Sequence, residues 1–63
     1  MAELTVDERL TYLSKIRTEL TKAFVCLNNG DLSGYKANIA EATGDLVLLE
    51  DIELGLIEKT NNG

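Results

Sequence analysis

The sequence has no histidine and only one cysteine among its 63 residues, and its basic side chains are few. Without histidine, the most common general base of hydrolytic and transfer enzymes is missing. A single cysteine cannot form an internal disulfide, so nothing in the composition indicates an oxidising compartment. We therefore expect a protein that is not an enzyme and that needs no cofactor.

Positive charge is also scarce. The chain has six basic and eleven acidic residues, which give a net charge of −5. A nucleic-acid binder needs a basic face to meet phosphates, and docking on anionic lipid has the same requirement. The N-terminus has no basic region followed by an apolar run, and acidic residues interrupt the most apolar window, 46–57. These features predict a cytoplasmic protein with no direct nucleic-acid or membrane contact.

The organising stretch of the chain runs from residue 32 to residue 57, where apolar side chains recur at the three-and-four spacing of a packed helix. That seam consists of Leu32, Tyr35, Ile39, Ala42, Leu46, Leu49 and Leu56. A second row, of mostly small residues, lies on the opposite side of the same helix and consists of Ala37, Ala40, Gly44, Leu48 and Gly55. A helix with two apolar faces must be covered twice, and the chain has only one other helix to offer.

The first helix is predicted from residue 5 to residue 28. Thr5 and Glu8 have the spacing of a capping box, and the run 28–30, Asn-Asn-Gly, is typical of a helix end. Residues 1–4 are expected to be frayed. The apolar stripe of this helix consists of Val6, Leu10, Leu13, Ile16, Leu20, Ala23, Phe24 and Leu27.

The second helix is predicted from residue 32 to about residue 59, with Asp31 as its N-cap and Ser33 as the competing choice. A break at 43–45 that would give three shorter helices is the alternative. The short connection makes the two helices antiparallel neighbours. The fold class is thus all-α: one antiparallel helical hairpin domain, 1–63, that assembles into a four-helix bundle or a higher oligomer.

Folding the hairpin at residues 29–31 predicts which positions of the two helices face each other. Leu13 should meet Leu46 and Leu49, and Arg9 should lie close to Glu53. The Arg9–Glu53 contact explains two charges beside otherwise apolar stripes, and we interpret it as a half-exposed ion pair.

Two features of the sequence could act as chemical sites. Cys26 lies near the C-terminal end of the first helix, where the helix dipole disfavours a thiolate. We therefore expect its thiol to be unreactive, with a packing role or none. The second helix carries an acidic surface, which we interpret as solvated or, in a sharper hypothesis, as a surface that recognises a basic protein or imitates nucleic acid. The residues of this acidic surface are Glu41, Asp45, Glu50, Asp51 and Glu58. Without histidine we predict no catalytic and no metal residues.

The small-residue row is the most specific feature of the sequence, because an interior glycine costs about 1 kcal/mol relative to alanine in a helix. We predict that this row is a helix-packing face, through which hairpins pair in reversed orientation as a homodimer or a higher even oligomer. The predicted interface comprises Ala37, Ala40, Gly44, Leu48, Gly55, Leu54 and Val25.

Two classes of function fit these observations. The first is a small regulator or inhibitor that binds another protein through a helical surface of the oligomeric bundle. The second is a structural subunit whose role is to assemble. An acidic mimic that blocks a nucleic-acid-binding protein is a further alternative.

Overall fold

A computed structural model describes residues 3–58 of the chain. Helix α1 spans Val6–Asn28 and helix α2 spans Leu32–Glu53, and within the described residues there is no strand. The two helices pack against each other as a hairpin, which confirms the all-helical antiparallel prediction.

Both helices begin with the caps that the sequence predicts. The Thr5 amide donates to Oε1 of Glu8 at 2.8 Å, while the Glu8 amide donates to Oγ1 of Thr5 at 3.1 Å. This reciprocal pair satisfies two backbone donors that α1 leaves unpaired. At α2 the Gly34 amide donates to Oδ1 of Asp31 at 2.9 Å, so Asp31 and not Ser33 is the N-cap.

Both helices also end in one motif, with glycine in the left-handed conformation. Gly30 has φ 78° after α1 and Gly55 has φ 76° after α2. After α1, the Asp31 amide donates to the Cys26 carbonyl and the Gly30 amide to the Leu27 carbonyl. Corresponding bonds from residues 55 and 56 close α2, so each end is a Schellman motif.

The end of α2 therefore differs from the prediction. The helix stops at Glu53, six residues before the predicted end near residue 59, which itself lies outside the described residues. Gly55 was placed on a helical face by its spacing, but its positive φ makes it the residue that terminates the helix. The alternative break at 43–45 does not occur, since α2 continues through Gly44.

The register of the hairpin agrees with the prediction. Arg9 pairs with Glu53 at 2.6 Å, near the open end of the hairpin. Further along, Lys15 pairs with Asp45 at 3.3 Å. These two contacts hold α1 and α2 at fixed levels, so a residue two positions after Lys15 lies at the level of the residue two positions before Asp45.

The rotation of α1 about its own axis was predicted wrongly. The buried residues are Leu4, Ile16, Glu19, Ala23, Ala42, Leu49 and Ile52. Most of the predicted stripe of α1 is instead exposed, including Leu13 at 50% and Phe24 at 68%. Leu4, expected to be frayed, is only 5% exposed and joins the core beside Tyr12. Periodicity identifies which residues are apolar, but it does not say which neighbour covers them.

Candidate interaction surfaces

The exposed apolar side of α1 is a continuous row with alternating steps of four and three residues. Its apolar members are between 47% exposed, at Leu20, and 68% exposed, at Phe24. One member of the row, Arg17, is charged. The row consists of Val6, Leu10, Leu13, Arg17, Leu20, Phe24 and Leu27. This is the seam spacing of a helix that packs against another helix.

A corresponding row runs along α2, with the same alternation of four and three. Leu32 and Leu46 are about half exposed, at 52% and 51%, and Ile39 is partly buried. The row consists of Leu32, Lys36, Ile39, Thr43, Leu46 and Glu50.

The contact between Lys15 and Asp45 shows that both rows lie on one side of the hairpin. At about 100° per residue, Lys15 lies on one side of Ile16, whereas Leu13 and Leu20 lie about 60° and 40° to the other side. On α2, Asp45 lies to one side of Ala42, whereas Ile39 and Leu46 lie to the other. Because Lys15 and Asp45 meet on one side of the seam, the two rows share the opposite side, where α1 contributes most of the apolar side chains and α2 contributes Leu32, Ile39 and Leu46. We call these two rows together the leucine face.

The other side of the seam holds a polar cluster in which Glu19 is buried, Asp45 is partly buried and Lys15 is exposed. Glu19 is 6% exposed. Its Oε1 and the Oδ2 of Asp45 are buried, and neither accepts a hydrogen bond when both carboxyl groups are ionised, although the Lys15 ammonium lies 3.3 Å from Oδ2. Lys15 donates to Oδ1 of Asp45 at 3.3 Å. Burial, and next the hydrogen bond with Asp45, raises the pKa of Glu19. That hydrogen bond, together with Lys15, lowers the pKa of Asp45. A proton held by Glu19 would therefore supply the donor that these oxygens lack.

Glu19 is the main residue that the sequence analysis missed, since a carboxylate outside the apolar stripe of α1 is expected to face water. A signal was available in the predicted Arg9–Glu53 contact. Helical periodicity from Arg9 leads to Tyr12, Ile16, Glu19 and Ala23, which form the side that faces α2. The predicted ion pair and the predicted apolar stripe therefore required different rotations of α1, and the structure has the rotation that makes the ion pair.

Arg9 and Glu53 form the predicted pair with two parallel hydrogen bonds. Nε of Arg9 donates to Oε2 of Glu53 at 2.6 Å, and Nη2 donates to Oε1 at 2.9 Å. The hydrogen bond from Arg9 lowers the pKa of Glu53, and the same bond raises the pKa of Arg9. Both side chains are more than a third exposed, so the pair contributes orientation more than stability.

The predicted small-residue row faces solvent where it is helical. Ala37, Ala40 and Gly44 are exposed, and a Cβ atom built on Gly44 meets nothing within 4 Å. Leu48, in the same row, is 37% exposed. Gly55 and Leu54 lie at the end of α2 and not on its helical face, while Val25, at 50% exposure, belongs to α1. What covers this row stays a prediction.

The acidic residues are distributed around α2 instead of sharing one face. Glu41 and Glu50 are exposed on different sides, and Asp51 is partly buried. Asp45 is turned toward Lys15. Glu58 lies beyond the helix. No group of three potential metal-ligating side chains converges among the described residues.

Cys26 and Gly34 form a close contact at the loop end of the hairpin. A Cβ atom on Gly34 would lie 2.8 Å from Sγ of Cys26 and would clash with the Asp31 carboxylate. Asn38 donates to the same sulfur at 3.8 Å and to the Gly34 carbonyl at 2.9 Å. The contacts give the thiol a packing role, and they require glycine at position 34, which the sequence analysis did not identify.

At the open end, a shallow cleft of about 350 Å³ lies between the N-terminal segment and the turn after α2. Its lining includes Leu4, Ile52 and Ile57 together with Glu3 and Glu58. No helix in the part of the chain that the structure describes is long and apolar enough to cross a membrane.

Comparison of the chain with protein-family models, curated proteins and solved structures finds no match.

Proposed function

We propose that the protein is a small, non-enzymatic regulator or inhibitor that binds another protein through a helical surface of a homo-oligomeric bundle. The observation that carries the proposal is the amount of apolar surface that the hairpin leaves open. Fourteen large hydrophobic side chains in residues 3–58 are at least 37% exposed. Contiguous apolar patches of this kind on a small protein mark interaction surfaces.

The hairpin's own core is too small to account for its apolar content. No side chain among the described residues is less than 2% exposed, and the buried cluster contains only five residues. Chains of about this size commonly add oligomerisation to reach adequate stability. Assembly as a homodimer or higher even oligomer would cover part of the surface, and the remaining helical faces would be available to a different protein.

A structural assembly subunit is the second candidate. It is favoured by the two separate apolar surfaces of α2, the leucine face and the solvent-facing row around Leu48. Two distinct surfaces allow an open series of contacts, whereas one self-complementary surface closes after a pair. A cytoplasmic location and the acidic mimicry of nucleic acid stay predictions.

Light scattering coupled to size exclusion, over a range of protein concentrations, tests the proposal. A closed oligomer of constant mass supports the regulator, and a mass that grows with concentration supports the assembly subunit. A chain that stays monomeric at high micromolar concentration contradicts both. A pull-down from host lysate with wild type, and with Leu48→Glu as the matched surface variant, then tests for a partner on the solvent-facing row.

A further inference from the structure

We infer that a second copy of this chain covers the leucine face, with the two hairpins reversed and a two-fold axis passing at the level of Arg17 and Thr43. This inference rests on the proposed oligomerisation and names the surface that carries it. It moves the contact between copies away from the row of Ala37, Ala40 and Gly44 and leaves that row free for a different protein.

The row on α1 has the symmetry that a two-fold contact requires. Counted from Arg17, Leu13 lies four residues before and Leu20 three residues after. Leu10 and Phe24 lie seven residues to either side. An isologous interface places each residue opposite the one at the equivalent distance from the axis. When α1 is reversed on its own copy at Arg17, each apolar side chain of the row therefore meets another apolar side chain.

The row on α2 has its own centre at the same level. Lys15 contacts Asp45, so Thr43 lies level with Arg17 across the hairpin. Ile39 lies four residues before Thr43 and Leu46 three residues after it. One axis therefore relates both rows to their copies, and α1 packs on α1 while α2 packs on α2. Two helices whose centres lay at different levels would not satisfy a single axis.

Charge complementarity selects this reversed arrangement over one with both loops at the same end. Lys36 and Glu50 lie seven residues to either side of Thr43, on the same row. Reversal brings Lys36 of each copy beside Glu50 of the other. With the loops at the same end, Lys36 would instead lie opposite Phe24 and Glu50 opposite Leu10, so each charge would meet an apolar side chain.

The area of the leucine face is adequate for a stable dimer. A 23-residue helix is about 34 Å long and two helices side by side are about 20 Å wide. The face therefore offers roughly 700 Å² per copy, close to the ~800 Å² that each partner contributes to a standard interface. The row around Gly44, on one helix, is narrower and has smaller side chains.

Arg17 is the one charge on the α1 row, and the symmetry brings it close to its own copy. Its long side chain can direct the guanidinium toward water while the stem covers apolar surface. Two like charges near the axis nonetheless oppose association. Arg17→Leu should therefore lower the dissociation constant of the dimer, by about tenfold.

The test uses the full chain and measures mass against concentration by analytical ultracentrifugation. Leu20→Lys should raise the dissociation constant about 100-fold or more, because each dimer would bury two unpaired positive charges close to the Arg17 side chains. Gly44→Leu is the matched control on the other surface and should leave the constant unchanged. Circular dichroism establishes that each variant remains helical. Arg17→Leu is expected to strengthen the dimer, and a loss of folding could not produce that result.

Cross-linking tests the orientation. In a Cys26→Ser background, Arg17→Cys should form a covalent dimer with a short bis-maleimide, and the adjacent Thr18→Cys, which points away from the leucine face, should not. Absence of the Arg17→Cys cross-link, or an oligomer lost with Gly44→Leu but not with Leu20→Lys, overturns this inference and leaves the proposed oligomerisation standing. A monomeric wild type overturns both.

Discussion

The two sides of the seam between α1 and α2 differ in what completes them. On one side Lys15, Glu19 and Asp45 come together within one chain, and the side chains of both helices enclose Glu19. On the other side the leucine face has the more apolar sequence but is left half exposed. Burial in this hairpin therefore follows the orientation of the two helices and not apolar character alone, and the leucine face has no cover within residues 3–58.

The sharpest way to test the comparison is to shorten a side chain that the hairpin itself buries. Leu49 and Ile16 are each 8% exposed in the core between the helices. Leu49→Ala and Ile16→Ala should each lower the free energy of unfolding by about 2–5 kcal/mol, since each leaves a cavity. Denaturant titration followed by circular dichroism measures the change. A loss below 1 kcal/mol would show that these residues are not core.

The same truncation on the leucine face should behave differently. Leu13 and Leu46 are 50% and 51% exposed, so a large loss from the hairpin alone is not expected. Leu13→Ala should cost about 1–2 kcal/mol, the transfer energy of a side chain covered only on assembly. The loss should shrink as the protein is diluted below its dissociation constant. Thermal melts at several concentrations measure it, and a loss independent of concentration would contradict the assignment.

The buried polar side can be altered by one isosteric substitution. The raised pKa of Glu19 means that its charged form destabilises the fold, fully above the raised pKa and not at all below the ordinary value. Glu19→Gln removes that charge and supplies an amide donor beside Asp45. We expect a higher melting temperature at pH 7 and little difference at pH 3. A variant less stable than wild type at pH 7 would show that ionised Glu19 is favoured in the fold.

The smallest effect is expected at the exposed Arg9–Glu53 pair. The lowered pKa of Glu53 contributes stability above its ordinary value of 4.5, and this contribution is lost as the pH falls through the lowered pKa. Glu53→Gln should therefore make unfolding slightly easier at pH 7 and flatten its dependence on pH below 4.5. Urea titrations across that range measure both effects, and an unchanged acid slope would show that the pair contributes nothing.

Much of the local structure follows from short stretches of sequence. Thr5 and Asp31 mark the two helix starts. Their side chains accept hydrogen bonds from the backbone amides of Glu8 and Gly34, three residues further along the chain. The Arg9–Glu53 contact follows from the length of the connection, which makes the helices antiparallel and sets their register. The end of α2 was missed because Gly55 fits a helical spacing as well as a helix stop.

The sequence by itself determined two amphipathic helices, their antiparallel register and the presence of more apolar surface than one hairpin can bury. Only the tertiary structure decided which surface that is. Rotation of α1 about its axis depends on the sum of many contacts with α2, and it buries Ile16, Glu19 and Ala23 while it leaves Leu13 and Leu20 about half exposed. The periodicity of apolar residues is a property of each helix by itself and carries no information about contacts between helices. Whether a row that it identifies is buried between the helices or left exposed is therefore decided only when the helices pack.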